Sequence, residues 1–155
     1  PEFGKDEKVY AKKYQDTLSR KDIESAYTHA GIEMVEGQVL PESVVPGDAK
    51  PVDMGGSTDV ADVSWVVPTV SLWGANYAIG TPFHSWQMTA QGKSSIAIKG
   101  MTHAAMIMAA TGSDLMTNNK ILDAAWKEHN RTIKKEGYML PISLSASPPI
   151  KDMTP

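Results

Sequence analysis

Four histidines and one glycine-rich acidic turn are the residues of this chain whose types could do chemistry. His84 stands in Gly80-Thr81-Pro82-Phe83-His84-Ser85-Trp86, a run of small and turn-forming residues after an apolar stretch. Loops beyond buried strands are where α/β proteins place ligand sites, and neutral imidazole is a good zinc ligand. Spacing alone leaves two readings open, a metal ligand or a loop histidine with no role. One histidine does not build a zinc site, which needs at least three protein ligands. His29, His103 and His129 fall at a helix end, within an apolar helix and on a helix core stripe, so they read as capping or packing residues. No HxxxE, HExxH or HxH spacing joins any of the four.

Gly55-Gly56-Ser57-Thr58-Asp59 also has two readings. Exposed amides at a helix start can bind a carboxylate or oxyanion. The same residues can simply form a turn whose Ser57, Thr58 and Asp59 cap the following helix, and caps are commoner than sites. Asp59 and Asp62 share a helix face at i, i+3, a pairing that suits the helix dipole more often than catalysis. Trp65, Trp73, Trp86 and Trp126 read as core or pocket walls.

The elements that must position these residues follow from periodicity. Tyr10, Tyr14 and Leu18 recur at helical spacing and predict a surface helix over 5–20. Residues 21–56 carry little periodicity and several prolines and glycines, with short extended pieces at Ile32-Glu33-Met34-Val35 and Gln38-Val39-Leu40. A short helix capped by Ser57 or Thr58 runs to about Trp65, and Val66 to Leu72, rich in β-branched residues, predicts a buried strand. Residues 74–92 form the loop that carries His84. Ser94 or Ser95 caps an apolar helix ending near Thr111, with Gly112 as terminator. A second long helix restarts at Ser113 or Asp114, ends near Glu136 and is stopped by Gly137, with Leu122, Trp126, His129 and Ile133 on its core face. The tail 138–155, with Pro141, Pro148, Pro149 and Pro155, should lie extended across the surface or fray.

Composition excludes several classes. Of the 155 residues, 41% are hydrophobic and 21% charged, which suits a globular protein. A net charge of -3 without basic runs gives no nucleic-acid footprint. With no cysteine there is neither a disulfide scaffold nor a thiolate metal site. Met101 to Ala110, the longest apolar stretch, is too short to span a bilayer, and Pro1-Glu2-Phe3-Gly4-Lys5 has no signal-peptide core. A soluble, cytoplasmic protein with no membrane partner is expected. The start at Pro1 rather than Met suggests a processed or shortened chain.

The run Gly56-Ser57-Thr58-Asp59-Val60-Ala61-Asp62-Val63-Ser64-Trp65-Val66-Val67-Pro68-Thr69-Val70 resembles the aminobenzoyl-glutamate hydrolases, in their B-subunit branch, within the aminoacylase and carboxypeptidase type of zinc amidohydrolases. Gly80-Thr81-Pro82-Phe83-His84-Ser85-Trp86-Gln87 follows at the family's interval, as do Lys99-Gly100-Met101 and Tyr138-Met139-Leu140-Pro141-Ile142. The resemblance covers the whole chain. It implies an α/β fold, residues 1–155 forming the carboxy-terminal portion of a zinc-peptidase-like catalytic domain with a mixed sheet packed by helices. It implies two divalent metal ions, zinc or manganese, with His84 as the family's last metal ligand and at most one ligand from this chain. It assigns substrate binding to Gly55, Gly56, Ser57 and Thr58, and less directly to Asp59.

The departures are as informative. The family's other ligands and its general-base glutamate come from an amino-terminal half preceding an inserted lid domain, and no histidine-x-aspartate segment or paired glutamates occur here. No catalytic residue is therefore expected in this chain, which should be inactive without that half. Its expected partners are the missing half, a small-molecule amide substrate, and a second copy through the absent lid. Three readings remain: a fragment of an amidohydrolase, one chain of a two-chain enzyme, or a non-catalytic binding domain that keeps the fold.

Overall fold

A computed structural model describes residues 1–50, 56, 58–138 and 142–150. They form helices α1 (Lys5–Gln15), α2 (Arg20–Ala30), α3 (Val60–Val66), α4 (Trp86–Gln91), α5 (Ser95–Thr117) and α6 (Asn119–Glu136). No strand occurs among the described residues. The expected α/β fold with a mixed sheet is thus overturned: what is described is helical. Val66 closes α3, residues 67–72 follow without regular structure, and most of this stretch is exposed. β-branched composition favours an extended backbone, but a strand exists only where its N–H and C=O groups find a ladder partner. The expected extended pieces at 32–35 and 38–40 likewise form no ladder. Their nearest approach to one is a single bond, Ile79 N donating to Val39 O at 2.9 Å.

The helices start and stop for local reasons. Glu7 reaches back to accept from Gly4 N at 2.7 Å, while Lys12 and Lys13 sit in the last turn of α1, where the helix dipole favours them. Apolar periodicity does not predict α2; its end signals do. Ser19 Oγ accepts from Asp22 N while Asp22 accepts from Ser19 N, a capping box, and Gly31 closes the helix at φ 68°. α5 runs through Gly112 to Thr117, because a glycine with helical neighbours weakens a helix without ending it. Asn118 rather than Ser113 or Asp114 caps α6, and Gly137 ends it at φ 72°, as expected.

The chain divides into two compact units, the first Pro1–Ser57 with Val70–Thr117, the second Thr58–Thr69 with Asn118–Pro155. In the first, Ala11, Leu40, Ala78 and Ile96 form the buried cluster, with Phe3, Tyr10, Tyr14 and Val39 packed around it. Glu7 ties α1 to α5 by accepting from Lys99 Nζ and Ser95 Oγ, both at 2.7 Å. Gly100 lets the 74–76 loop lie against α5, since a Cβ there would collide with Asn76 Oδ1 and Ala75 O. In the second unit, Trp65 stacks on Tyr138 with centroids 5.7 Å apart, and the Tyr138 hydroxyl donates to Asp62 at 3.0 Å. No residue of α3 or α6 is fully buried. The described part of the tail is exposed and almost wholly irregular.

Candidate functional site

The His84 loop belongs to the first unit and is held by buried amides. Ala78, Thr81 and Gln91 are all buried. Gln91 Oε1 accepts from Ala78 N at 2.8 Å, and its Nε2 donates to Thr81 Oγ1 at 3.0 Å and to Gln87 O at 3.1 Å. Its carboxamide therefore has both N–H donors and its acceptor engaged, which burial requires. Thr81 Oγ1 in turn donates to Ala78 O at 2.7 Å. From the other side Gln15 Nε2 donates to Gln38 O at 3.0 Å and to Ile79 O at 3.4 Å. Gly80, at φ 89°, passes so close to α2 that a Cβ would stand 2.9 Å from Ile23 Cα.

Downstream of Thr81 the chain turns at once into α4. Ser85 Oγ accepts from Met88 N at 3.2 Å as the helix cap and donates to Pro82 O at 2.7 Å. His84 lies immediately before this cap at φ 58°, the one non-glycine residue with positive φ among those described. Its side chain is exposed. Aromatic rings surround the loop. Phe83 lies 6.0 Å from Trp73 and 6.2 Å from Tyr77, whose hydroxyl pKa is raised by burial, and Trp86 lies 6.1 Å from Tyr14.

The other expected site residues are less gathered. Gly55 and Ser57 lie outside the described residues. Gly56 belongs to the first unit, Thr58 and Asp59 to the second. Thr58 Oγ1 accepts from Val60 N at 3.3 Å, the capping role, whereas Asp59 makes no cap bond. Asp62 is engaged by Tyr138. His29 sits in the last turn of α2, and His103 is exposed on α5. His129 packs edge-on against Trp126 at 5.4 Å with both ring nitrogens buried and without a partner among the described residues. Among the described residues no three His, Cys, Asp or Glu side chains converge to hold a metal. The exposed His84 imidazole is chemically able to serve as one metal donor, and a zinc site would need at least two further protein ligands that do not converge on it among the described residues.

Sequence reasoning singled out His84 as a candidate but missed the polar frame around it. Gln15, Thr81 and Gln91 are types that are usually exposed, and nothing in their spacing marks them as buried. Ser85 ahead of Trp86-Gln87-Met88, with Gly92 behind, was a readable signal for α4.

No family model matches the chain, and no solved structure matches it. It is 34% identical over 162 aligned residues to the B subunit of p-aminobenzoyl-glutamate hydrolase from Escherichia coli (strain K12). The match takes in 97% of this chain and 34% of that protein, so the chain spans about a third of its relative's length. An alignment this long places the chain in the aminobenzoyl-glutamate hydrolase family, in the B-subunit branch that its motifs resemble.

Proposed function

We propose that this chain is the carboxy-terminal segment of the catalytic part of a metal-dependent amidohydrolase, cleaving an amide in an aminobenzoyl-glutamate-like or other N-acyl amino acid. The observation that carries this reading is the similarity along nearly the whole chain to a hydrolase subunit of that name. The exposed imidazole of His84, carried on a left-handed backbone turn, supports it.

His84 contributes one ligand to a pair of divalent ions, zinc or manganese. The remaining ligands and the general base come from the amino-terminal part of the complete protein, and this chain alone is inactive. When bound, such a pair supplies Lewis acidity and lowers the pKa of water. The residues of this chain hold one donor in place, and the Gly55–Asp59 segment contacts the substrate through its backbone amides.

The test uses the complete protein. His84→Gly keeps the left-handed backbone and removes the imidazole. It should lower metal content and reduce kcat/KM on p-aminobenzoyl-glutamate by at least about 100-fold, a ligand loss exceeding the effect of supporting partners. Far-ultraviolet circular dichroism should stay unchanged. Full metal content with undiminished turnover would overturn the assignment. A complete protein that binds no metal and keeps its activity after chelation would favour a metal-free reading, and one that binds no metal and turns nothing over would favour a non-catalytic binding domain.

A further inference from the structure

Thr81, Gln91 and Ser85 form a hydrogen-bonded bracket around the Pro82-Phe83-His84 segment, and we infer that they are positioning residues for the His84 imidazole. The inference rests on the proposed role of His84 as a metal ligand. Upstream, Thr81 is fixed at two points, by Gln91 Nε2 at 3.0 Å and by its own bond to Ala78 O at 2.7 Å. Downstream, Ser85 Oγ closes the segment by donating to Pro82 O at 2.7 Å and caps α4 through Met88 N. Between these anchors, Pro82 has its own φ restricted by its ring. The Phe83 ring, partly exposed, lies 6.0 Å from Trp73 and 6.2 Å from Tyr77. His84 is then the residue that takes up the turn, at φ 58°.

A left-handed histidine is costly unless its surroundings over-determine it, and such residues cluster where a side chain must be aimed. The over-determination is visible on both sides: a fully engaged carboxamide is buried at Gln91, and a serine hydroxyl serves two purposes at Ser85. Neither bond touches His84. Both fix the direction in which its Cβ leaves the backbone, so they act on metal binding through geometry alone. A ligand aimed in advance loses less freedom on binding than one that must be ordered.

The experiment measures zinc(II) affinity of the metal-stripped complete protein by competition with a chromophoric chelator, alongside its thermal stability. Thr81→Val keeps the shape and removes the hydroxyl, and Thr81→Ser restores it. Ser85→Ala removes the downstream anchor, and Ser85→Thr restores a capping hydroxyl. Thr81→Val and Ser85→Ala should each weaken zinc binding about tenfold, as loss of ligand-orienting partners does. The restoring variants should return to within about twofold of the wild type. Amide hydrogen exchange should quicken at Ala78, bonded to Gln91, in Thr81→Val and at Met88, bonded to Ser85 Oγ, in Ser85→Ala, and not in the restored variants. Should Thr81→Val fail to fold, Ser85→Ala carries the test, since loss of one helix cap costs only about 1 kcal/mol. If His84→Gly abolishes tight zinc binding while Thr81→Val or Ser85→Ala folds and binds zinc like the wild type, the bracket is overturned and the ligand assignment stands. If His84→Gly leaves zinc affinity unchanged, the ligand role falls and the inference falls with it.

Discussion

Gly100 shows at the scale of one residue how packing can reverse an intrinsic preference. Inside an α-helix, alanine is favoured over glycine by about 1 kcal/mol. At Gly112, where nothing lies within 4 Å of the missing Cβ, that preference should act unopposed. At Gly100 the added Cβ would run into Asn76 Oδ1 and Ala75 O and stand 3.0 Å from Ala75 C. Two of these are backbone atoms of a loop that also carries the buried, unpartnered Asn76 oxygen. Overpacking of this kind costs about 1–3 kcal/mol. Gly112→Ala should therefore raise the denaturant midpoint and Gly100→Ala should lower it, and equal shifts of the same sign would contradict this packing. The sequence marked Gly100 within Lys99-Gly100-Met101, but the loop that needs it is distant in the chain and could not be read. His84 was legible for the opposite reason: the Gly, Thr, Pro and Ser around it announce a turn by local chemistry. Its frame was not, because buried glutamines look like surface ones until a backbone closes around them.

Helices were legible where their signal is short-range. The Ser19 and Asp22 pair with Gly31 behind it contains everything needed to place α2, and apolar periodicity, weak there, was the wrong guide. The strand expected at Val66 to Leu72 went wrong for a non-local reason, since composition sets a preference for extension and only a neighbour makes a ladder. α1 and α5 are joined by charge in a way that pH can test. Lys99 first, then Ser95 and the Gly4 amide, hold the Glu7 carboxyl down to about 2 from an ordinary 4.5. The folded pKa is depressed, so the stabilisation is fully present above pH 4.5 and is lost as pH falls through that value towards about 2. Glu7→Gln should be less stable than the wild type at neutral pH, and the gap should close on acidification across this window. Denaturant unfolding of both proteins at several pH values checks it; a gap independent of pH would mean the ion pair does nothing for the fold. Asp22, also lowered by Ser19, is common to both proteins and drops out of the comparison.

For the molecule as a whole the balance of buried and exposed apolar surface matters most. α5 buries Ile96 and Gly100, and beyond Gly100 none of its residues is buried. Met101, Met106, Met108 and Ile107 are exposed, and Met116 is 86% exposed. Exposed apolar side chains accumulated along one half-helix offer surface for association. Fully burying a Met or Ile side chain contributes roughly 1.5–3 kcal/mol. Covering these five partly exposed side chains would contribute several kcal/mol, a sizeable share of the net stability of a typical domain, about 5–15 kcal/mol. The 16.8 kDa chain expressed alone should therefore associate, eluting from a sizing column well ahead of a monomer and shifting with concentration. Met106→Gln with Met108→Gln should move it back towards the monomer, whereas the same changes at Lys120 and Lys127, on exposed positions of α6, should not. A concentration-independent monomer would show that the second half of α5 needs no cover, and with it would go the main physical reason for assigning this chain a larger assembly.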